Sequence, residues 1–356
     1  MTNKRASSAH AALLVLTIIL LLSPPSRSLA LSRRVFVLHS YERGHVCGQP
    51  QYDGVMAALT RAGFKDGAGL DVQTYYMDTK RSNNTPALIE RQARIALQKI
   101  RAFRPDVLVT IDDNAFRTVA LELVDSPISI VFSGMNGQPE DYNRKRRFMD
   151  SRDHPGHNIT GVYEKLHFVD AVKVHSRLFP GLKKILVLED LSPTGKAIAK
   201  QIRKELSGDS IPCALEVKTV KSWEEFCKEI LSANNRPEIG AIYMAALLLK
   251  DRKGRTYTAP EIFRWEVRNG RKPEIAINYE FTRMGLFGGA AVDFYALGEQ
   301  AGRMVIKILR GALAGSIPIE EARRYALVFN LKRAQQLGIE IPTDVVMAAD
   351  EVITGN

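Results

Sequence analysis

Pro105 to Gly137 reads PDVLVTIDDNAFRTVALELVDSPISIVFSGMNG. Val107 to Ile111 is a short apolar run rich in β-branched residues, the pattern of a strand covered on both faces. It stops at Asp112-Asp113-Asn114. The spacing of Phe116, Val119, Ala120 and Leu123 predicts a helix from Ala115 to Val124. Pro127 breaks the chain, and Ile128 to Phe132 is a second apolar run, ending at Ser133-Gly134-Met135-Asn136-Gly137. In a parallel sheet both polar tips lie on one edge, where open α/β sheets bind ligands. Two neighbouring strands that exchange apolar side chains for Asp, Asn and Ser at the same end predict a polar pocket.

The same alternation extends both ways. Upstream, Val35-Phe36-Val37-Leu38 predicts a buried strand ending at His39-Ser40-Tyr41, followed by a helix over Gln51 to Ala62. Leu70 to Met77 predicts a strand ending at Asp78-Thr79-Lys80-Arg81. Thr85 is placed to cap a helix reaching Phe103, with Pro86 in its first turn. Downstream, residues 133–158 are loop-rich and basic, and Ile159 to Val162 is a short extended crossing. A helix over 166–178 precedes Lys184 to Leu188, whose polar tip is Glu189-Asp190. The pattern then repeats with a helix from Ser192 to Leu206, strands at 215–220, 239–244 and 273–278, and helices at 223–231 and 260–269. Gly288 to Val292 is a second crossing, and Phe294 to Leu309 a helix. Tyr325 to Asn330 is a last strand and 331–337 a short helix. The predicted class is α/β, with two doubly wound parallel-sheet lobes joined by a hinge.

The 356 residues exceed one ordinary core, and 45% hydrophobic with 25% charged residues is a globular balance. The first thirty residues differ. Lys4 and Arg5 precede the apolar block Ala11 to Leu22, then come Pro24-Pro25 and Ser28-Leu29-Ala30. A charged start, a short apolar centre and a small-x-small end predict a secretory signal cleaved after Ala30; an uncleaved anchor is the alternative. The mature protein is expected to be soluble and periplasmic. Loss of Lys4, Arg5 and Arg27 takes the net charge from +11 to +8. The densest basic run, Arg144-Lys145-Arg146-Arg147, is either an anion patch or a solvated loop. No nucleic-acid-binding motif accompanies it, so nucleic acid is not an expected partner. Cys213 and Cys227 are either disulfide-bonded or free, and Cys47 has no obvious mate.

Several segments together carry a resemblance. They are LHSY (38–41), YYMDTKR (75–81), PDVLVTIDDNAF (105–116), ISIVFSGMN (128–136) and NITGVYE (158–164), with VDFYALGEQAGRMVIKILRG and YALVFNLKRAQQLGIEIP towards the end. Their order and spacing over nearly the whole mature chain resemble the exported ABC-transporter substrate-binding proteins of the type I periplasmic-binding fold, in the branch that includes tryptophan/tyrosine transporter-like members. The long basic loop 138–157 and the apolar tip Ala245-Ala246 depart from the relatives' pattern, so their ligand chemistry does not transfer residue by residue. The resemblance implies a hinge of three strands and two lobes: 31–158 with about 291–325, and 159–290 with about 326–356.

A pocket of this class needs a few fixed polar groups and an apolar or aromatic wall. The candidates from the first lobe are Ser40, Tyr41, Asp78, Lys80, Asp113, Asn114, Ser133 and Asn136; from the second they are Tyr163, Asp190, Thr194 and Glu280. Asp suits a ligand amine, and Lys80 or Arg81 a carboxylate. Thr194, with the N–H groups of the helix it opens, would accept an anion. Each has a structural alternative: Asp113-Asn114 and Thr194 as helix caps, Asp78 paired with Lys80, Tyr41 and Tyr163 as packing. His39, His45 and Cys47 do not form a recognised metal spacing, and neither metal nor cofactor is expected. The sequence carries no GxGxxG after a strand, P-loop, GxSxG or HExxH, so an enzyme is not expected. The expected function is capture of an amino-acid-like or aromatic small molecule between the lobes and delivery to an inner-membrane ABC permease. The alternative is a ligand sensor that signals to a membrane receptor or kinase. A monomer is expected.

Overall fold

A computed structural model describes residues 33–355, apart from the side chain of Pro193; the expected leader lies outside the described residues. The described residues form two seven-stranded sheets and one separate two-stranded ribbon. The first sheet is parallel throughout. Its order is β14 (Glu320–Glu321), β6 (Ile159–Tyr163), β5 (Ser129–Met135), β4 (Val107–Ile111), β1 (Arg33–His39), β3 (Gly69–Tyr76) and β2 (Lys65–Asp66). The second sheet runs β16 (Glu351–Ile353), β15 (Tyr325–Asn330), β13 (Gly288–Val292), β12 (Glu274–Ile275), β9 (Ile239–Ala245), β7 (Lys184–Asp190) and β8 (Ala214–Val220). It is parallel except where β13 meets β15. Both sheets are covered by helices, and the fold class is the doubly wound α/β arrangement read from the sequence.

The unbroken apolar runs have a simple cause. In β1, Val35 and Val37 pack on the face covered by the helices Gly48–Arg61 and Phe294–Leu309. Phe36 and Leu38 pack on the other face, with Ala93, Ala96 and Ile100 of the helix Pro86–Phe103. Both faces are dry, so alternation disappears. Pro86–Phe103 starts as its sequence requires: Leu88 N–H donates to Thr85 Oγ1 at 3.4 Å.

The helices Gly48–Arg61 and Phe294–Leu309 approach at backbone contact. A Cβ on Gly298 would lie 2.0 Å from the Gln51 carbonyl, and one on Gly54 would lie 2.2 Å from the Tyr295 carbonyl. We expect Gly298→Ala to force these helices apart at a cost of about 1–3 kcal/mol, read as a lower urea midpoint with an unchanged slope.

Several expectations are corrected. Residues 113–123 form an α turn, a π-helical turn and a 3-10 turn rather than one regular helix. Thr118 Oγ1 donates back to the Asn114 carbonyl at 2.7 Å within that stretch, a bond that distorts helices. Ile159–Tyr163 and Gly288–Val292, read as crossings, are full strands of the first and second sheets. The ribbon of β10 (Leu248–Lys250) and β11 (Thr256–Thr258) has no counterpart in the sequence reading. The strand expected at 273–278 shortens to Glu274–Ile275. Cys213 and Cys227, for which the sequence left both states open, are free, as is Cys47.

Candidate functional site

In each sheet the order reverses beside the strand that begins its βα series. In the first sheet β3 lies on one side of β1 and β4 on the other; in the second, β8 and β9 flank β7. Crossover helices leave in opposite directions at these points, opening a crevice at the strand ends. The first crevice holds Ser40, Tyr41 and Asp112, and the second holds Asp190 and Ala245. The chain passes between the sheets at 164–167, at 293 and at 322–324.

Most of the predicted polar residues build the crevice walls rather than face an open space. Ser40 Oγ donates to the Ile111 carbonyl at 2.7 Å and accepts from Ala115 N–H at 2.8 Å. Asp113 accepts from Asn136 through its side chain at 2.8 Å and its backbone at 3.2 Å, from Gly137 N–H, and from the Tyr142 hydroxyl. It thus folds the loop after β5, and does not cap the following helix. Asn114 donates to Thr79 Oγ1 at 2.8 Å and accepts from Arg117. Ser133 donates to Gln51 Oε1 at 2.7 Å, and the other end of that amide donates to Asp112 Oδ1 at 3.3 Å. Asp78 sits at positive φ (49°) and accepts from Ser82 N–H and Arg81, not from Lys80. Because Asp78 serves its own turn, Asp78→Asn, which tolerates that φ, is expected to leave ligand affinity within about twofold by calorimetry.

In the second lobe, Asp190 accepts from Leu247 and Leu248 N–H at 2.7 and 2.9 Å and from Ser192 N–H at 2.8 Å. It closes the tips of β7 and β9. The cap of the helix Pro193–Gly208 is Ser192, which accepts from Gly195 N–H at 3.0 Å; Thr194 lies inside the first turn, which corrects its reading as the opening residue. Tyr163, expected in the second lobe, instead ends β6 of the first sheet; it is buried, and Arg152 donates to its hydroxyl. Glu280 accepts from Arg283 at 2.5 Å, and burial raises its carboxyl above the usual range.

A different set remains unengaged. Glu164 follows β6 at the start of the first crossing, and its backbone N–H donates to the Met135 carbonyl at 2.9 Å. The residue is only 4% exposed. Its carboxylate makes no hydrogen bond among the described residues, and its oxygens keep slight solvent contact. Burial pushes its pKa well up; Asp112 and Asp113 push the same way, and Lys80 opposes them. Asp112, at φ 65°, is 2% exposed, and its Oδ2 has no partner. Burial raises it to about 7, with Lys80 opposing and Asp113 adding to the rise. Lys80 Nζ lies 4.1 Å from the centre of the buried Tyr41 ring, and His45 leans on that ring from 4.4 Å. Burial, then Lys80 and His39, lowers His45 to about 3, so it is neutral. From the second lobe, the buried Tyr243 hydroxyl also lacks a partner and feels Glu205 and Glu164. Two grooves are present, and Glu164, Asp112, Lys80 and Tyr41 line neither. One of 550 Å³ is lined by His45, Tyr279, Glu280 and Arg283, and one of 410 Å³ by Tyr163, Gln201, Lys204 and Glu205.

The lobes are bonded to each other beside the centre. Gln201 Nε2 donates to the Asn136 carbonyl at 2.6 Å, Lys204 to Gln138 Oε1 at 2.5 Å, and Lys200 to Asp141. Val46 and Cys47 of the first lobe pack on the core of the second. This is a closed arrangement. Among the described residues no cluster of His, Cys, Asp and Glu has metal-site geometry.

Two α/β lobes with facing switch points, three chain crossings and a partnerless polar centre between them define a solute-binding protein of the type I periplasmic-binding fold. The chain belongs to the ABC transporter substrate binding protein family, whose pattern matches residues 45–353. It is similar in fold to a Streptococcus pneumoniae ABC domain solved with L-Trp, at 21% identity, covering 90% of this chain and 100% of that one with a TM-score of 0.65. It also resembles CD0873 of Clostridium difficile, a substrate binding protein with adhesive properties solved open and ligand-free (18%, 91% and 100%, TM-score 0.68). A third similar structure is a conserved domain protein of Vibrio cholerae (22%, 90% and 99%, TM-score 0.64). No curated protein matches the sequence. No helix among the described residues is long and apolar enough to cross a membrane.

Glu164 and Asp112 were not among the predicted site residues. Asp112 was masked by its neighbour Asp113, and Glu164 by Tyr163. The available signal was their position at the end of β4 and the end of β6, on the same sheet edge as Tyr41.

Proposed function

We propose that this chain is an exported periplasmic protein that captures a small organic ligand carrying an ammonium group, amino-acid-like or aromatic, and delivers it to an ABC permease. The observation that carries this reading is Glu164, a buried carboxylate without a partner, beside the half-satisfied Asp112. A buried carboxylate without compensation is costly, and an ammonium group offers three donors and the opposite charge. Lys80 supplies a cation for a ligand carboxylate, and Tyr41 an aromatic wall. The L-Trp complex of the pneumococcal domain supports an amino-acid ligand. We take the lobes from the sheets, as 33–163 with 294–321 and 168–292 with 325–353. The ligand favours the closed state by touching both, and the interlobe bonds at Gln201 and Lys204 add to it.

Thermal-shift screening of the mature chain, residues 31–356, against amino acids, amines, nucleobases and small acids tests the reading. Compounds with an ammonium group are expected to raise the melting temperature with dose. Shifts by carboxylic acids alone would contradict it.

A further inference from the structure

β8 closes one edge of the second sheet and, among the described residues, pairs only with β7. Ala214 N–H donates to the Lys183 carbonyl at 3.0 Å, towards β7. Backbone groups alternate in direction along a strand, so the even-numbered residues of β8 bond to β7. The N–H and C=O groups of Leu215, Val217 and Thr219 point outward in the plane of the sheet. The middle of this edge is open: Val217 and Lys218 are exposed, Val217 by 52%. Seven residues in unbroken register, without proline or bulge, are a template for another strand.

The edge reads ALEVKTV, with an acid and a base either side of Val217. Glu216 and Lys218 share one face of the strand, and Val217 lies on the other. The Glu216 carboxylate is fixed by Arg236 at 2.7 and 2.8 Å and by Lys184 at 3.3 Å, and Arg236 is shared with Glu238. Lys218 has no ion-pair partner among the described residues. A lysine on an edge ordinarily keeps other strands off; opposite an acid it selects instead. In a second copy of β8 laid antiparallel, Leu215, Val217 and Thr219 must face one another, because they carry the free backbone groups. In the register centred on Val217, that residue faces its own copy. Each Glu216 then faces the partner's Lys218 in the closely spaced, non-hydrogen-bonded position. A slide of two residues either way sets Glu216 against the partner's Glu216, or Lys218 against the partner's Lys218, and like charges directly opposite destabilise a pairing.

We propose that β8 pairs with β8 of a second copy of this chain, in place of the monomer expected from the sequence. The product is a twofold dimer with one sheet running through both second lobes. A twofold interface uses the same patch twice, and only the register centred on Val217 sets the acid of each copy against the base of the other. A strand of an unrelated protein would share the backbone bonds but not this order of charges. The contact is smaller than a standard stable interface, so association is expected at concentrations on the order of 100 µM. No residue of β8 belongs to the ligand centre, so the dimer stands apart from ligand capture.

Sedimentation equilibrium of the mature chain from about 10 to about 500 µM tests the pairing. The weight-average mass is expected to climb towards twice that of the monomer. Over the same range the amides of Leu215, Val217 and Thr219 are expected to exchange hydrogen more slowly. Lys218→Glu, which sets Glu216 against an acid, is expected to weaken association by about tenfold or more. Val217→Pro removes the central outward N–H and is expected to abolish it. Lys218 is exposed, so its variant keeps the test valid if the proline disturbs the strand. A monomer at every concentration, a dimer without slowed exchange at 215–219, or undiminished association of Lys218→Glu would overturn the proposal.

Discussion

Glu164→Ala is expected to weaken ligand binding by about a hundredfold, equivalent to about 2.7 kcal/mol, with little loss of stability. Removing one partner of a buried charge pair costs more than the net worth of the pair, because the other charge is left stranded. Here the stranded charge would be the ligand's ammonium. In the ligand-free protein the same substitution removes a buried acid that has no protein partner, so folding is not expected to suffer. Calorimetry on wild type, Glu164→Ala and Glu164→Gln separates the two effects. The glutamine variant retains the volume but not the charge and is expected to bind almost as poorly.

The same centre gives a pH signature. Asp112 is raised to about 7 in the folded protein, and Glu164 is raised as well. Acids with raised pKa values favour the folded state most when protonated, below the ordinary carboxylate range. That contribution fades as pH climbs towards and through about 7. The ligand-free protein should therefore lose stability across that window. An ammonium ligand prefers the ionised acids, so its affinity should rise over the same window. Melting temperatures with and without ligand should diverge from about pH 5 to about pH 8. A constant ligand-induced shift would sink this account.

Arg333→Leu is expected to cost about 3–5 kcal/mol of stability. Arg333 is 3% exposed. Its Nε donates to both oxygens of Glu274 at 3.0 and 3.2 Å, and its terminal nitrogens reach the Val267 and Gly270 carbonyls at 2.9 and 3.1 Å. Glu274 also accepts from Phe287 N–H at 3.0 Å. The arginine thus pins the helix Leu331–Leu337 beneath the second sheet. Without it, Glu274 keeps a buried charge with no counterion. Glu266 is fully buried 3.7 Å from Arg333; burial and then Glu274 push its carboxyl well above the usual range, with Arg333 opposing them. Glu266→Gln should therefore be nearly neutral. It should also remove the part of the stability loss that appears as pH rises from the usual carboxylate range towards the raised pKa of Glu266. Urea unfolding of both variants checks the contrast.

The α/β class was legible because β1, β4 and β5 are apolar on both faces and stop abruptly at polar residues. Residues 113–123 were misread in detail because Thr118 bonds back into the backbone, which an apolar spacing does not reveal. The ribbon was missed because Lys250 to Arg255 reads as a charged loop. Its folding depends on Trp223 and Asp190, which are distant in sequence. Among the candidate residues, the strand tips were readable, but their hydrogen bonds were not. Ser40, Asp113 and Asp190 are polar at strand ends as a binding residue would be, yet Ser40 and Asp190 are taken up by backbone groups and Asp113 by the backbone and side chains of the loop after β5. Glu164 shows the converse. In the sequence it is an ordinary acid after a tyrosine, and only folding takes away its solvent without supplying a partner.

Native mass spectrometry of residues 31–356, purified without refolding, tests the central claim most directly. Wild type is expected to retain a small molecule bearing an amine, and Glu164→Ala to retain none. An empty wild-type protein across preparations, or equal retention by the variant, would contradict a ligand held at Glu164.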